Sequence, residues 1–190
     1  MPLILNKTDI SPPARVSLML LEILGLDVEL RDVDLRSGAH RTPEYLAKNP
    51  THTDQLYPSD AQKRAVVDFQ LYLDASTVYA AFQAAMEDVM SNGATAISDK
   101  HVKAFDEAYG FLDTYLQRGA YLAGDQLTLA DISAVATVSA MSGLVAVDAK
   151  HIKLDQWFAK LTKNDWYQNN AAGNPALISY ITQRMKTNSA

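Results

Sequence analysis

Apolar positions along this chain follow two rhythms, and the change falls near residue 55. Residues 3–6 are a short apolar run of strand length. Residues 12–24 are mostly apolar and stop at Gly25, a residue favoured just past a helix end. Val28, Leu30, Val33 and Leu35 alternate with polar positions, which predicts a second strand over 28–35. Thr42-Pro43-Glu44 opens a short second helix ending near Asn49-Pro50. A strand–helix–strand unit this short predicts a parallel pair with a right-handed crossover.

From Ser59 onward the pattern is helical throughout. Ser59 and Gln62 have the spacing of a capping box, for a helix running to about residue 90 and closed by Asn92-Gly93. Ser98 is placed to cap the next helix, with Val102, Phe105, Tyr109, Leu112 and Leu116 on its apolar face. Thr128 and Asp131 form a second Thr-x-x-acid box. The helix it opens, 129–141, is small-sided and nearly uncharged, as a fully buried central helix is. Two amphipathic helices over 152–161 and 175–185 complete the chain.

The helix over 12–24 is apolar around most of its circumference, through Val16, Leu18, Met19, Leu20, Leu21, Ile23 and Leu24. A surface helix shows a single stripe. This one must pack on two sides, which makes it the seam between the strand-containing half and the helical half.

Candidate chemistry sits at the start of that helix. Ser11 precedes Pro12, and Ser at the N-cap followed by Pro at the first position is the favoured opening of a helix. The hydroxyl therefore lies at the positive end of a helix dipole, where a phosphate, a carboxylate or a thiolate is stabilised. Ordinary capping is the competing reading of the same residues. No Gly-rich loop accompanies Ser11, so a phosphate site has little support.

Composition narrows the choice. The 190 residues suit one large or two small domains, and 48 % apolar with 21 % charged residues is normal for a globular chain. There is no cysteine, which excludes disulfides, thiolate zinc sites and a Cys nucleophile. His40, His52, His101 and His151 lack metal-ligand spacing, so no metal is expected. The net charge is −5 without a basic stripe, which argues against nucleic acid. No apolar run approaches the roughly 20 residues of a membrane span, and no basic segment precedes Leu3, so a cytoplasmic protein is expected.

Several motifs together resemble the cytosolic glutathione transferases, and most of all their insect delta and epsilon classes. They are Ser11-Pro12-Pro13-Ala14-Arg15, Gly38-Ala39-His40, Asn49-Pro50-Thr51-His52-Thr53, Leu56-Tyr57-Pro58 with Lys63-Arg64-Ala65, and the long stretch from Leu122-Ala123-Gly124-Asp125 to Ala130-Asp131. The resemblance covers nearly the whole chain. It implies an α+β, mainly α protein: a thioredoxin-like βαβα glutathione-binding domain over residues 1–53, a linker over 54–58 and an all-helical domain over 59–190. It implies glutathione as co-substrate, with Ser11 hydrogen-bonded to its sulfur. His40 and His52 would hold its glycine end. Arg15 is read chiefly as a structural bridge to the second half or to an acidic partner. The second substrate would be a small apolar electrophile, as in detoxification, lined by Phe69, Tyr72, Leu73, Tyr79 and Phe82, although core packing is the simpler account of most of these five. A homodimer is implied as well.

The likeness breaks at one place. After Thr53 the family continues with a Val-Pro pair, two strands and an acid–Ser pair, about thirty residues in all, whereas this chain passes directly to Asp54. The missing residues include the cis proline facing the cysteinyl part of glutathione and the pair that binds its γ-glutamyl end. The sheet is left with two strands, which is marginal without outside packing, and its first strand gains an open edge. Two functions therefore stand side by side: a glutathione transferase, and a catalytically impaired relative that binds ligands or partners.

Overall fold

The computed structural model describes residues 3–34, 37 and 56–189. Strand β1 (Ile4–Lys7) lies parallel to β2 (Glu29–Asp32), with Ile4 opposite Glu29 and Lys7 opposite Asp32. Helix α1 (Pro12–Leu24) crosses between them. It starts at Ser11 and ends at Gly25, whose φ of 59° is left-handed and whose N–H bonds back to the Glu22 carbonyl. Leu26 N–H closes on Leu21 in the same turn. Among the described residues the sheet has two strands. The expected second strand shrinks from 28–35 to the four residues of β2, all exposed. The expected helix from Thr42 falls outside the described residues.

Six further α-helices follow among the described residues. They are α2 (Ala61–Leu73), α3 (Tyr79–Met90), α4 (Asp99–Leu116), α5 (Leu129–Ser142), α6 (Ile152–Leu161) and α7 (Gln168–Asn188). Helices α2 and α3 are one continuous rod interrupted by a π-turn over Asp74–Val78. Its cap is Asp60 rather than the expected Ser59. The Asp60 carboxylate accepts from Gln62 N and Lys63 N at 3.1 and 2.9 Å. A carboxylate at the positive helix end is the stronger acceptor of two adjacent candidates.

The core lies around α5. Ala130, Ile132, Ala134, Val135, Val138, Ala140 and Met141 are all at 0 % exposure, so this helix is enclosed on every side, as its composition predicts. Helix α1 packs against α5 and α7 on one side and β1 on the other, the two-sided burial expected of the seam. On α4 the apolar face is as expected except for Val102, which is 38 % exposed. The inward position of that turn is His101, whose ring bonds Asp88 at the end of α3 at 2.7 Å.

The last helix starts seven residues before the expected Pro175. A 3₁₀ turn over Asp165–Tyr167 leads into it, and Pro175 lies inside it. The additional turns carry Asn170 and Gly173, both buried, against α1. Among the described residues no helix is long and apolar enough to cross a membrane.

Candidate functional site

Ser11 occupies the N-cap of α1 with extended backbone (φ −93°, ψ 117°). Its N–H donates to Thr8 O at 3.2 Å, and its carbonyl accepts the first helical bond, from Arg15 N at 3.1 Å. The side chain makes no capping hydrogen bond. A capping serine ordinarily spends its hydroxyl on the helix N–H groups. Here Pro13 removes the N2 donor and no bond is made to the N3 donor, so the hydroxyl stays available at a half-buried position. Geometry and dipole together suit donation to an anion.

The loop carrying Ser11 is held from the helical half. Arg15 points away from solvent and is fully buried. Its Nε donates to Asn170 Oδ1 at 2.7 Å, its second guanidinium nitrogen to Asn174 Oδ1 at 3.2 Å, and its third to Asp9 O at 3.1 Å. Burial holds the guanidinium down to about 10 from its usual value. It still carries its charge at neutral pH, stabilised by three neutral oxygens. Asn174 in turn donates to Ser139 O at 2.8 Å, and Tyr167 donates to Ser139 Oγ at 2.9 Å. Arg15 is therefore a bridge between the halves, but to amides and a carbonyl rather than to an acid.

The aromatic stretch is distributed over several surroundings. Phe82 is in the core at 4 % exposure, with Tyr79 beside it at 6.1 Å between ring centres. Leu73 is half-buried, and Tyr72 is 72 % exposed. Phe69 packs edge-on to Tyr115 at 5.5 Å and lines a groove of about 510 Å³ with Val66, Gln70, Arg118 and Leu122. Tyr79 and Phe82 form a ring pair, and Leu73 packs against the same core cluster. His40 and His52 lie outside the described residues.

Two features escaped sequence reading. Asn170, Gly173 and Asn174 occupy one face of α7, and the only local trace of them was a polar run, Gln168-Asn169-Asn170, inside a helix. Asp74, 4 % exposed in the π-turn, accepts from Ser133 Oγ at 2.5 Å while its other oxygen has no partner among the described residues. Burial pushes its carboxyl above the ordinary range, against the neighbouring Ser133 and Thr137 hydroxyls. An acid inside an aromatic run, Leu71-Tyr72-Leu73-Asp74, was its signal.

A shortened strand–helix–strand unit seated on a helical domain, with a free serine hydroxyl at the seam, defines a thioredoxin-like plus all-helical class. Residues 77–166 match the family model described as glutathione S-transferase, C-terminal domain. The chain is 32 % identical to glutathione S-transferase 1 of Manduca sexta, covering 97 % of this chain and all of that one. Among solved structures it is similar to an epsilon-class glutathione S-transferase from the housefly Musca domestica, at 31 % identity and a TM-score of 0.87, over 95 % of this chain and 97 % of that one. It is similar also to a glutathione transferase homolog of Drosophila mojavensis with bound glutathione, at 29 % identity and 0.86, over 95 % and 96 %. The chain belongs to the glutathione S-transferase family, of the insect delta/epsilon type. The Manduca alignment runs over 217 positions, more than the 190 residues present, so that relative carries a stretch with no counterpart here.

Proposed function

We propose that the protein is a glutathione transferase in which Ser11 stabilises the thiolate of glutathione for attack on a small apolar electrophile. The observation that carries this reading is the Ser11 hydroxyl, left without a capping bond at the start of α1. A thiol is a weak nucleophile until it loses its proton, and a hydrogen bond to the anion lowers its pKa. In this reading the Ser11 Oγ–H donates to the sulfur, the α1 dipole adds to the stabilisation, and the thiolate forms the bond to carbon as the leaving group departs. His40 and His52 take the glycine end of the tripeptide. The stretch carrying Phe69, Tyr72, Leu73, Tyr79 and Phe82 supplies the apolar side, with Phe82 supporting Tyr79 from the core. Residues 1–53 act as the glutathione domain, 54–58 as linker and 59–190 as the helical domain. A second copy of the chain is the expected partner, in the cytoplasm.

Ser11→Ala tests the mechanism. Turnover falls by about a hundredfold while glutathione binding changes little, as for loss of one donor to a developing anion. An unchanged rate removes Ser11 from the chemistry.

The absent stretch favours a second reading, a ligand- or partner-binding relative without turnover. A glutathione-affinity resin separates the two. Retention and elution by free glutathione support the transferase, and flow-through of folded protein supports the binder.

A further inference from the structure

The turn that carries Ser11 is fastened to α7, and α7 reaches it through a missing side chain. At Gly173 a Cβ would lie 2.3 Å from Asp9 O and 2.7 Å from the Arg15 side chain at Cδ. No residue other than glycine allows so close an approach without parting the two backbones by about 1 Å, since ordinary contact begins near 3.4 Å. One turn earlier Asn170 receives Arg15 Nε, and one residue later Asn174 receives a second guanidinium nitrogen. Arg15 hands the third back to Asp9 O, two residues before Ser11. A single face of α7 thus holds the Arg15 guanidinium by its two asparagines and lies at Gly173 against the Asp9 carbonyl that Arg15 itself bonds, on either side of the serine.

We infer that Asn170, Gly173 and Asn174 are positioning residues for Ser11: acting through Arg15 and the Asp9 carbonyl, they set where the hydroxyl stands relative to the sulfur it would serve. The inference rests on the Ser11 reading and goes beyond it. It also explains how the site could keep its geometry in a chain whose sheet is shortened. Helix α7 is a rigid element anchored independently in the core by Leu177 and Ile181, and through the Asn174–Ser139 and Tyr167–Ser139 bonds. The serine seat inherits that rigidity. Misplacing a reacting group by about 1 Å is enough to cost about a hundredfold in rate.

The test reads the titration of the thiol of bound glutathione, by thiolate ultraviolet absorbance against pH, beside kcat, KM for glutathione and thermal melting. Asn170→Ala displaces the titration upward, so the thiolate fraction at neutral pH falls about tenfold and kcat falls with it. KM for glutathione stays within about twofold, because the lost effect acts on the anion. Asn170→Asp, which keeps an accepting oxygen for Arg15, restores both. Gly173→Ala lowers kcat by about a hundredfold in protein that still melts cooperatively. A purely structural role lowers the melting temperature and leaves the titration in place, and that result overturns the inference. If Asn170→Ala does not fold, Gly173→Ala and Asn174→Ala decide by the same readouts; if none of the three folds, the face is scaffold and the inference fails. Ser11→Ala, run alongside, separates the two readings. A shifted titration there with an unshifted one in a folded Asn170→Ala sinks only the positioning role. No shift in Ser11→Ala, or no thiolate band in the parent protein, sinks the Ser11 reading and this one with it.

Discussion

Trp157 Nε1 donates to Asp131 Oδ1 at 2.9 Å, which ties α6 to the carboxylate that caps α5. The same carboxylate accepts from Leu122 N at 2.8 Å, Thr128 N at 2.9 Å and Thr128 Oγ1 at 3.0 Å. One fully buried acid therefore joins the head of the central helix, the loop before it and a distant tryptophan. Burial raises its pKa, and the donated hydrogen bonds oppose that shift.

Asp131→Ala should be severe. It strands the N–H groups of Leu122, Thr128 and Trp157 in a dry interior, where each unsatisfied donor costs about 1–3 kcal/mol. A loss of about 3 kcal/mol or more is expected from urea unfolding, several times the loss for Asp60→Ala, whose exposed carboxylate caps α2 with water at hand. Equal losses for the two would show that the buried hub adds nothing to an ordinary cap.

Glycine substitutions should separate just as sharply. A Cβ on Gly119 would lie 2.6 Å from Gly124 O and 2.7 Å from its carbonyl carbon, both backbone atoms beside the Tyr121–Gly124 bridge. A Cβ on Gly143 would crowd Ile178 side-chain atoms at 2.7 Å, with the Ala140 carbonyl oxygen at an ordinary 3.6 Å. A side chain can rotate aside, whereas a bridged turn must open. Gly119→Ala should thus lower stability by about 2 kcal/mol and Gly143→Ala by less than about 1 kcal/mol. Thermal melting of the pair checks it, and the reverse order would mean that the turn yields more easily than the side chain.

Local chemistry explains which parts of this fold were legible. Ser11-Pro12, Gly25 and the Thr128–Asp131 box declare helix ends within a few residues, and each sits where those residues place it. The all-round apolarity of α1 announces its two-sided packing. The errors have a common origin in distant contacts. Pro175 reads as a helix start, but its helix is extended backward by turns that Arg15 holds from 155 residues away in sequence. The π-turn at Asp74 has no local cause beyond the acid itself, which faces Ser133 on α5. The hydroxyl at Ser11 could be read from the chain. The face of α7 that seats it could not, because asparagine and glycine inside a helix ordinarily signal weakness rather than contact.

The carboxyls of this protein pull in opposite directions with pH, and Asp74 is the lever. Burial raises its folded pKa above the unfolded value, so between those two values the folded state holds more protons. Its contribution to stability is present at low pH and lost as pH rises through the folded value. Asp88 and Asp106 behave conversely. His101, then Asn92, hold Asp88 below the ordinary range, while Lys150, then His151, do so for Asp106. Their stabilisation is present above about pH 4 and lost as pH falls through their lowered values. Asp74→Asn removes the Asp74 share of the first slope, leaves that of Asp131, and keeps the second. The variant should melt higher than the parent at pH 7 and converge with it near pH 4. Melting temperatures across that range decide the matter: parallel curves would mean that Asp74 titrates as it does in the unfolded chain.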